Sequence, residues 1–572
     1  MLRVRINKIR AIAATLLFVP IFSFAQVKSE KLRNPIDGKM LLSANYFELR
    51  DNHFHSGIDI KVGGVVGAKL FSINSGHIYR IQVRAGGYGK CLYIKHDDGT
   101  SSVYAHLHNF ANPIDKFVEG IQYEKQQFEI DTLLTAEQLT VNRGTLIGYA
   151  GNTGNSFGPH LHFEIRDTAQ IPLNAIAYYP FTDTKAPELN TLGIFSIDSI
   201  RTVPHSRTTH LIDLKAKSGI VKVDSIIHIE SPAYVGLECT DRMDDTHNKF
   251  GARSMTITLD DETIFSTAID YIPFSKTRYI NSFIAYDEKV RGKKLLMKSY
   301  VEPGNMLDIY NSVKNSGLII LNDNKVHRLT ISVTDDHNNT STLNLRVQEK
   351  KEKTLSIADA SGKFFRWNKD NFHISPELIV HVPKGALYNN ILFDIEKKAD
   401  STASFYSPIF RLHTPEVPIH KPVQLAIKTN VPDSLQSKAL IAYYSSELSS
   451  KRSSLGGEVS NGYINTSSAN FGYFFVTVDT IPPTITSNFK DKADLRGQKE
   501  ISLKIWDDLS GIKSYNGYID DKWVLFEYDA KRSLLTHTFD KTRTAQGKKH
   551  KLILEVSDRK NNVTTLTTEF TW

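Results

Sequence analysis

Apolar and polar positions in this chain alternate far more often than they recur every three or four residues. "AKLFSINSGHIYRIQV" (Ala68–Val83), "KCLYIKH" (Lys90–His96) and "SVYAHLH" (Ser102–His108) are short β-type runs. "AGGYG" and "HDDGT" separate them and read as hairpin turns. One stretch breaks the pattern. Pro113–Glu129 spaces Ile114, Phe117, Val118 and Ile121 as a helix does, which predicts an excursion off the sheet. Alternation returns at "HLHFEIR" (His160–Arg166) and persists to the C-terminus, so the expected fold class is mainly β, with antiparallel sheets throughout.

The alternating pattern also repeats itself. His327–Val347 resembles His550–Phe570, each an alternating strand, a turn built on Asp and Asn-Asn, and a second strand. Leu237–Phe265 echoes Leu503–Phe526. Asp183–Pro187 ("DTKAP") and Asp479–Pro483 ("DTIPP") look like lead-in linkers. The expected organisation is an N-terminal β-sheet domain over 30–182 and three β-sandwiches over 186–348, 355–478 and 482–572. The first and last sandwiches are copies of one Ig-like module. The charged run Gln348–Thr354 reads as a solvated linker. In the middle sandwich, "HVPKGAL" resembles the ZU-type modules.

The first 25 residues stand apart. Arg3, Arg5, Lys8 and Arg10 precede a 14-residue apolar run, Ala11–Phe24, and small residues at Ser23 and Ala25 follow. That is the layout of a cleaved signal peptide over 1–25, too short for a comfortable membrane span. Gln26 replaces the cysteine that a lipoprotein would acylate. Without those four basic residues, the balance of 70 Lys+Arg against 62 Asp+Glu falls from +8 to +4. With no basic patch interleaved with aromatics, nucleic acid is excluded as a partner. Two cysteines, Cys91 and Cys239, are too few for a disulfide scaffold and read as separate buried thiols.

Three polar clusters interrupt the first domain. "FHSGIDI" holds His55 and Asp59 about a glycine, "VYAHLH" holds His106 and His108, and "GPHLHFEI" holds His160 and His162 at strand spacing. Alternate positions of a strand share a face. Imidazole and carboxylate donors suit a catalytic zinc site with about three protein ligands and an open position. His53 and His108 read as bystanders, and His96, Asp97 and Asp98 as a turn.

"HSGID", "YAHL" and "GNTGNSFGPHLHFEI", in that order, resemble the three signature segments of the LytM/lysostaphin-type zinc metallopeptidases. The resemblance covers roughly 50–182. It implies Zn²⁺ held by His55, Asp59 and His162, with His106 and His160 as the catalytic histidines off the metal. It also implies hydrolysis of peptide cross-links in bacterial peptidoglycan by zinc-activated water. The absence of a separate wall-targeting signature fits a D,D-endopeptidase. The expected substrate is peptidoglycan peptide stems, and the β-sandwiches are expected to dock other envelope proteins. The chain should be exported to the periplasm or cell envelope, without a membrane span in the mature form. The segment between "YAHL" and "GPHLHFE" is longer than the family pattern. Residues 186–572 are expected to supply no catalytic group, so a chain ending near Asp183 should keep activity on soluble muropeptides. Two other readings remain: a zinc-less regulatory scaffold activating another wall hydrolase, and an envelope-binding protein acting through its sandwiches.

Overall fold

In the first domain, alternation on the strands puts an apolar layer on one face, while the other face carries the polar clusters beside a smaller buried apolar group of Cys91, Tyr93, Val103 and Ala105. The structure, a computed structural model, describes residues 32–200, 203–350, 362–398, 405–446 and 452–572. The signal-peptide reading and most of the charged linker lie outside these residues. The strands of the first domain are β1 (Leu42–Ala44), β2 (Leu49–Arg50), β3 (His53–Phe54), β4 (Ile58–Lys61), β5 (Lys69–Phe71), β6 (Gly76–Val83), β7 (Lys90–His96) and β8 (Ser101–Phe110). After the helix α1 (Ile114–Lys125) come β9 (Ile130–Leu133), β10 (Thr140–Val141), β11 (Leu146–Ala150), β12 (His160–Arg166) and β13 (Pro172–Leu173). All but the β2–β3 hairpin join one 11-stranded sheet, whose main path runs β1-β4-β12-β8-β7-β6-β10.

Leu161, Phe163 and Ile165 of β12 pack with Ile58 and Ile60 of β4 and with Tyr104 of β8 in the apolar layer, all at 1% exposure or less. His160, His162 and Glu164 occupy the opposite face. The helix forms where the 3.6-residue spacing predicted it. It buries Ile114, Val118 and Gln122 and stops at Gln126 in the left-handed region. Both predicted hairpin turns join the strands expected of them.

Downstream, the chain is β throughout, in several mostly antiparallel sheets. Residues 188–349 form a four-stranded and a six-stranded sheet, and residues 484–571 a four-stranded and a five-stranded sheet. The two regions share more than sequence pattern. His327 faces Asp260 Oδ2, and the backbone N–H of Arg328 donates to Asp260 Oδ1. His550 and the N–H of Lys551 treat Asp520 in the same way. Between them, residues 363–478 form two five-stranded sheets and a two-stranded pair around one core that includes Phe365, Val380, Leu425 and Phe474.

Cys91 is buried, but Cys239 is only half-buried, because the side chains at the end of its strand are partly exposed. The two are not linked. No helix among the described residues is long and apolar enough to cross a membrane.

Candidate metal centre

β4 and β12 are antiparallel neighbours, with Asp59 directly opposite His162. Register alone therefore brings these side chains together. His55 arrives from the link between β3 and β4, which turns at Gly57. A Cβ there would stand 2.4 Å from the carbonyl oxygen of Phe163, so only glycine lets the link lie this close to β12. His55 Nε2, Asp59 Oδ1 and His162 Nδ1 form a triangle with sides of 3.0, 3.0 and 3.1 Å.

The outer contacts decide what these atoms can be. His55 Nδ1 lies 2.7 Å from the carbonyl oxygen of Asn45 and so must carry the proton, which leaves Nε2 a bare lone pair. His162 Nε2 lies 2.9 Å from Glu164 Oε1, which assigns the proton there and leaves Nδ1 bare. Two lone pairs and a carboxylate oxygen thus face one another at contact distance, with all three residues buried. Such a donor set needs a cation at its centre. Tetrahedral ligation at about 2.0–2.1 Å sets donors roughly 3.3 Å apart, close to this triangle. Without a metal, a proton fills the same role. Burial lowers the pKa of His162, but its hydrogen bonds to Asp59 and Glu164 outweigh that and raise it to about 9. Burial likewise opposes the charge on Asp59, yet the three histidines hold its carboxyl well below the usual range.

Glu164 has no exposed surface. It accepts hydrogen bonds from Tyr88 Oη, from Ser56 Oγ at 2.8 Å and from Arg166 Nε at 2.6 Å. Despite burial, Arg166 and His162 bring its pKa down to about 2. It is therefore a fixed anion behind His162. Sequence reading missed Glu164 and Arg166, although "HLHFEIR" carries the signal: the alternation that puts His160 and His162 on one face continues to both. Arg50, 3.4 Å from Asp59 Oδ2, and Asn45 carry no such local signature.

His106 and His160 stand beside the trio, their ring centroids 4.9 Å apart. Each donates through Nδ1 at 2.8 Å to a carbonyl oxygen, that of Thr153 for His106 and that of Gly158 for His160. Each therefore keeps a free Nε2, and that of His160 lies 3.5 Å from Asp59 Oδ1. Burial, reinforced by His162 and His160, pushes the pKa of His106 down to about 3, so this ring is neutral at working pH. His106 has φ +61°, and this left-handed residue breaks the alternation of β8. His106 is buried as a result and His108 is exposed. His53 is exposed against the carbonyl of Asp51, and His96 is buried on Ser102, so neither joins the cluster.

In the loop that precedes His160, one glycine is required by packing. Gly154 lies against the turn at Gly87–Gly89, where an added Cβ would stand 2.3 Å from a backbone nitrogen. Phe157, next in the loop, is fully exposed.

"Zu5-like domain" describes residues 362–479. DD-carboxypeptidase/endopeptidase Mpg of Neisseria meningitidis serogroup B is 35% identical over 94 residues, which are 16% of this chain and 16% of that protein. This chain thus spans only a small part of the first curated relatives it matches. Lipoprotein NlpD of Yersinia enterocolitica is 30% identical over 119 residues, 21% of this chain and 97% of that sequence. Murein hydrolase activator NlpD of Escherichia coli is 31% identical over 126 residues, 22% of this chain and 26% of that one. "Peptidase family M23" describes residues 53–175, the stretch that contains His55, Asp59, His106, His160 and His162, and the chain belongs to peptidase family M23.

Proposed function

We propose that this chain is an exported zinc endopeptidase that hydrolyses peptide cross-links of bacterial peptidoglycan. The observation that carries the reading is the trio itself: two imidazole lone pairs and a carboxylate oxygen, tautomers fixed from behind, converging at 3.0–3.1 Å. His55, Asp59 and His162 would hold the metal. A bound zinc would supply Lewis acidity, polarising a peptide carbonyl and making water acidic enough to attack near neutral pH.

The chain's own residues do the remaining work. Asn45 and Glu164 keep the two ligand imidazoles in the required tautomers. His106, held through Nδ1 by the carbonyl of Thr153, offers Nε2 as the proton acceptor for the attacking water. His106 then passes that proton to the leaving amine, and His160, fixed through Nδ1 by Gly158 and Ser156, stabilises the oxyanion through Nε2 once that nitrogen carries the ring's second proton. The relative Mpg is named for D,D-carboxypeptidase and endopeptidase activity, which supports a D,D-type bond as the target.

The relatives named murein hydrolase activators support a second reading, in which the same groove is presented to another wall hydrolase. One experiment separates the two. Zinc content is measured on the purified mature chain, and muropeptides are analysed by mass spectrometry after incubation with it. One zinc per chain with new cleaved stems supports the enzyme. Zinc-free protein that cleaves nothing but stimulates an added amidase supports the activator.

A further inference from the structure

The two copies of the repeated module each carry three aspartates away from the site above. In the first, Asp183 comes from the lead-in segment, Asp241 follows the strand Ala233–Thr240, and Asp335 follows the strand Val326–Thr334. One carboxylate oxygen from each lies within 4.8 Å of the others. In the second copy, Asp479, Asp507 and Asp558 make the same arrangement. The turns that hold the third aspartate of each cluster match. Asn339 Nδ2 donates to Asp335 Oδ2 at 2.8 Å and to the carbonyl of Asp183 at 3.1 Å. Asn562 Nδ2 donates to Asp558 Oδ2 at 2.6 Å and to the carbonyl of Asp479 at 2.9 Å. The Asp-Asn-Asn turn that makes the repeat visible in the sequence is the turn that builds the cluster.

What the scaffold leaves unsatisfied is informative. Asp241 is 3% exposed, yet its Oδ1 has no hydrogen-bond partner, and neither has Asp183 Oδ2. In the second copy, Asp507 Oδ1 lacks a partner. So does the hydroxyl of Ser510, a 5% exposed residue whose N–H donates to Asp479 Oδ2 at 3.0 Å. A buried oxygen without a donor is costly, and three carboxylates at this spacing repel. Of the nearby basic groups, Lys185 is engaged on the carbonyl of Met243 and Lys560 on that of Gly457, and His337 Nδ1 comes no closer than 3.9 Å to Asp183 Oδ2. Among the described residues no ion pair reaches Asp241 or Asp507.

We propose that both clusters are calcium sites, each tying a sandwich to the segment that leads into it. The donor set is all oxygen, and a spread of up to 4.8 Å is about twice a Ca–O distance of roughly 2.3–2.6 Å. Zinc would prefer the imidazole-rich trio. The first site also touches the enzyme domain. Asp336, next to Asp335, accepts from Asn174 Nδ2 at 2.7 Å and from Asn45 Nδ2 at 3.2 Å.

The test is calorimetric titration of the full mature chain with calcium chloride, with magnesium chloride in parallel. Asp241→Asn, Asp507→Asn and the double variant are titrated alongside. The expected result is two calcium ions per chain with Kd about 10⁻⁴–10⁻³ M or tighter. Each single variant should lose one ion, and the double variant both, at unchanged zinc content. Calcium should raise Tm in the natural chain and leave the double variant unmoved. Folded natural protein taking up no calcium at millimolar concentration would overturn the proposal, as would a double variant that still takes two ions. A double variant more stable than the natural chain by the same margin with and without calcium would show carboxyls kept neutral by protonation, and would overturn it too.

Discussion

The main-chain carbonyl of Asn45 accepts a hydrogen bond from His55 Nδ1 at 2.7 Å, while the Asn45 side chain is held by the module that follows the peptidase domain. Its Oδ1 takes the N–H of Gly251 and its Nδ2 the carbonyl of Gly251, both at 2.9 Å, and Nδ2 also reaches Asp336. The imidazole proposed to hold zinc is thus oriented by a residue anchored about 200 positions downstream.

Replacing Asn45 tests that anchor without touching a proposed ligand. Asn45→Ala keeps the carbonyl but frees the chain that carries it. Groups that orient metal ligands typically contribute about 10–100-fold in metal affinity. We expect a loss of that size, read by competition with a chromophoric chelator, with the circular dichroism spectrum unchanged. Zinc affinity equal to that of the natural chain would mean that the β3–β4 link alone positions His55.

The division between metal holders and proton carriers is a second test. His162→Ala and His55→Ala should lose zinc, because a site of three protein ligands is incomplete with two. His106→Ala and His160→Ala should keep one zinc per chain and lose turnover by about 10²–10⁴-fold. Metal loss from a folded His160→Ala protein would move His160 into the ligand set.

The cluster could be read from the sequence because its chemistry is local to three short segments. Strand alternation put His160 and His162 on one face, and Gly57 marked the turn that brings in His55. At "AHLH" alternation alone would pair His106 with His108, but the left-handed backbone of His106 puts His108 on the outside, in line with its reading as a bystander. Glu164 and Arg166 were within reach of the same reasoning, as charged residues on the buried face of an apolar strand. Asn45 and Asp336 were not. Their contact joins two modules, and a pattern with period two carries no information about which surfaces meet. The aspartate clusters fall between these cases: the repeated turns were visible, but their union with Asp183 and Asp479 required the folded chain.

Phe157 gives a third prediction. It is fully exposed on the loop that ends at His160, and a Cβ at the neighbouring Gly158 would meet open space. An exposed aromatic beside a peptidase centre is placed to cover an apolar part of the substrate. Phe157→Ser should raise KM for a soluble cross-linked muropeptide about 10–150-fold, the factor that corresponds to losing roughly 1.5–3 kcal/mol of aromatic burial. Turnover and zinc content should be unchanged. Equal KM values would remove Phe157 from the substrate contact.

The last prediction concerns the far end of the chain. Lys531, in the C-terminal module, donates through Nζ to the carbonyl oxygens of Asn152 and Ser156, the latter at 3.0 Å. Ser156 Oγ in turn lies 3.2 Å from His160 Nδ1. Lys90 pairs with Glu527 at 2.8 Å, and Arg543 lies 3.5 Å over the ring of Tyr123 on α1. A cleft of about 770 Å³ remains between α1 and this module and reaches Asn152–Gly154. The C-terminal module therefore braces the loop that carries His160, although it places no side chain in the trio. Lys531→Ala should keep zinc and lower kcat about 3–10-fold, an effect the size of one or two exposed charge-assisted hydrogen bonds. A chain ending at residue 350 keeps the Asn45 anchor but loses the brace, and should behave like Lys531→Ala. A chain ending near Asp183 loses the anchor as well and uncovers Phe54, whose ring packs 5.9 Å from that of Phe283. These contacts argue against the expected activity of this shortest chain, which should bind zinc weakly or fail to fold. Faster turnover in Lys531→Ala would overturn the bracing argument and make the C-terminal module a plug over the groove.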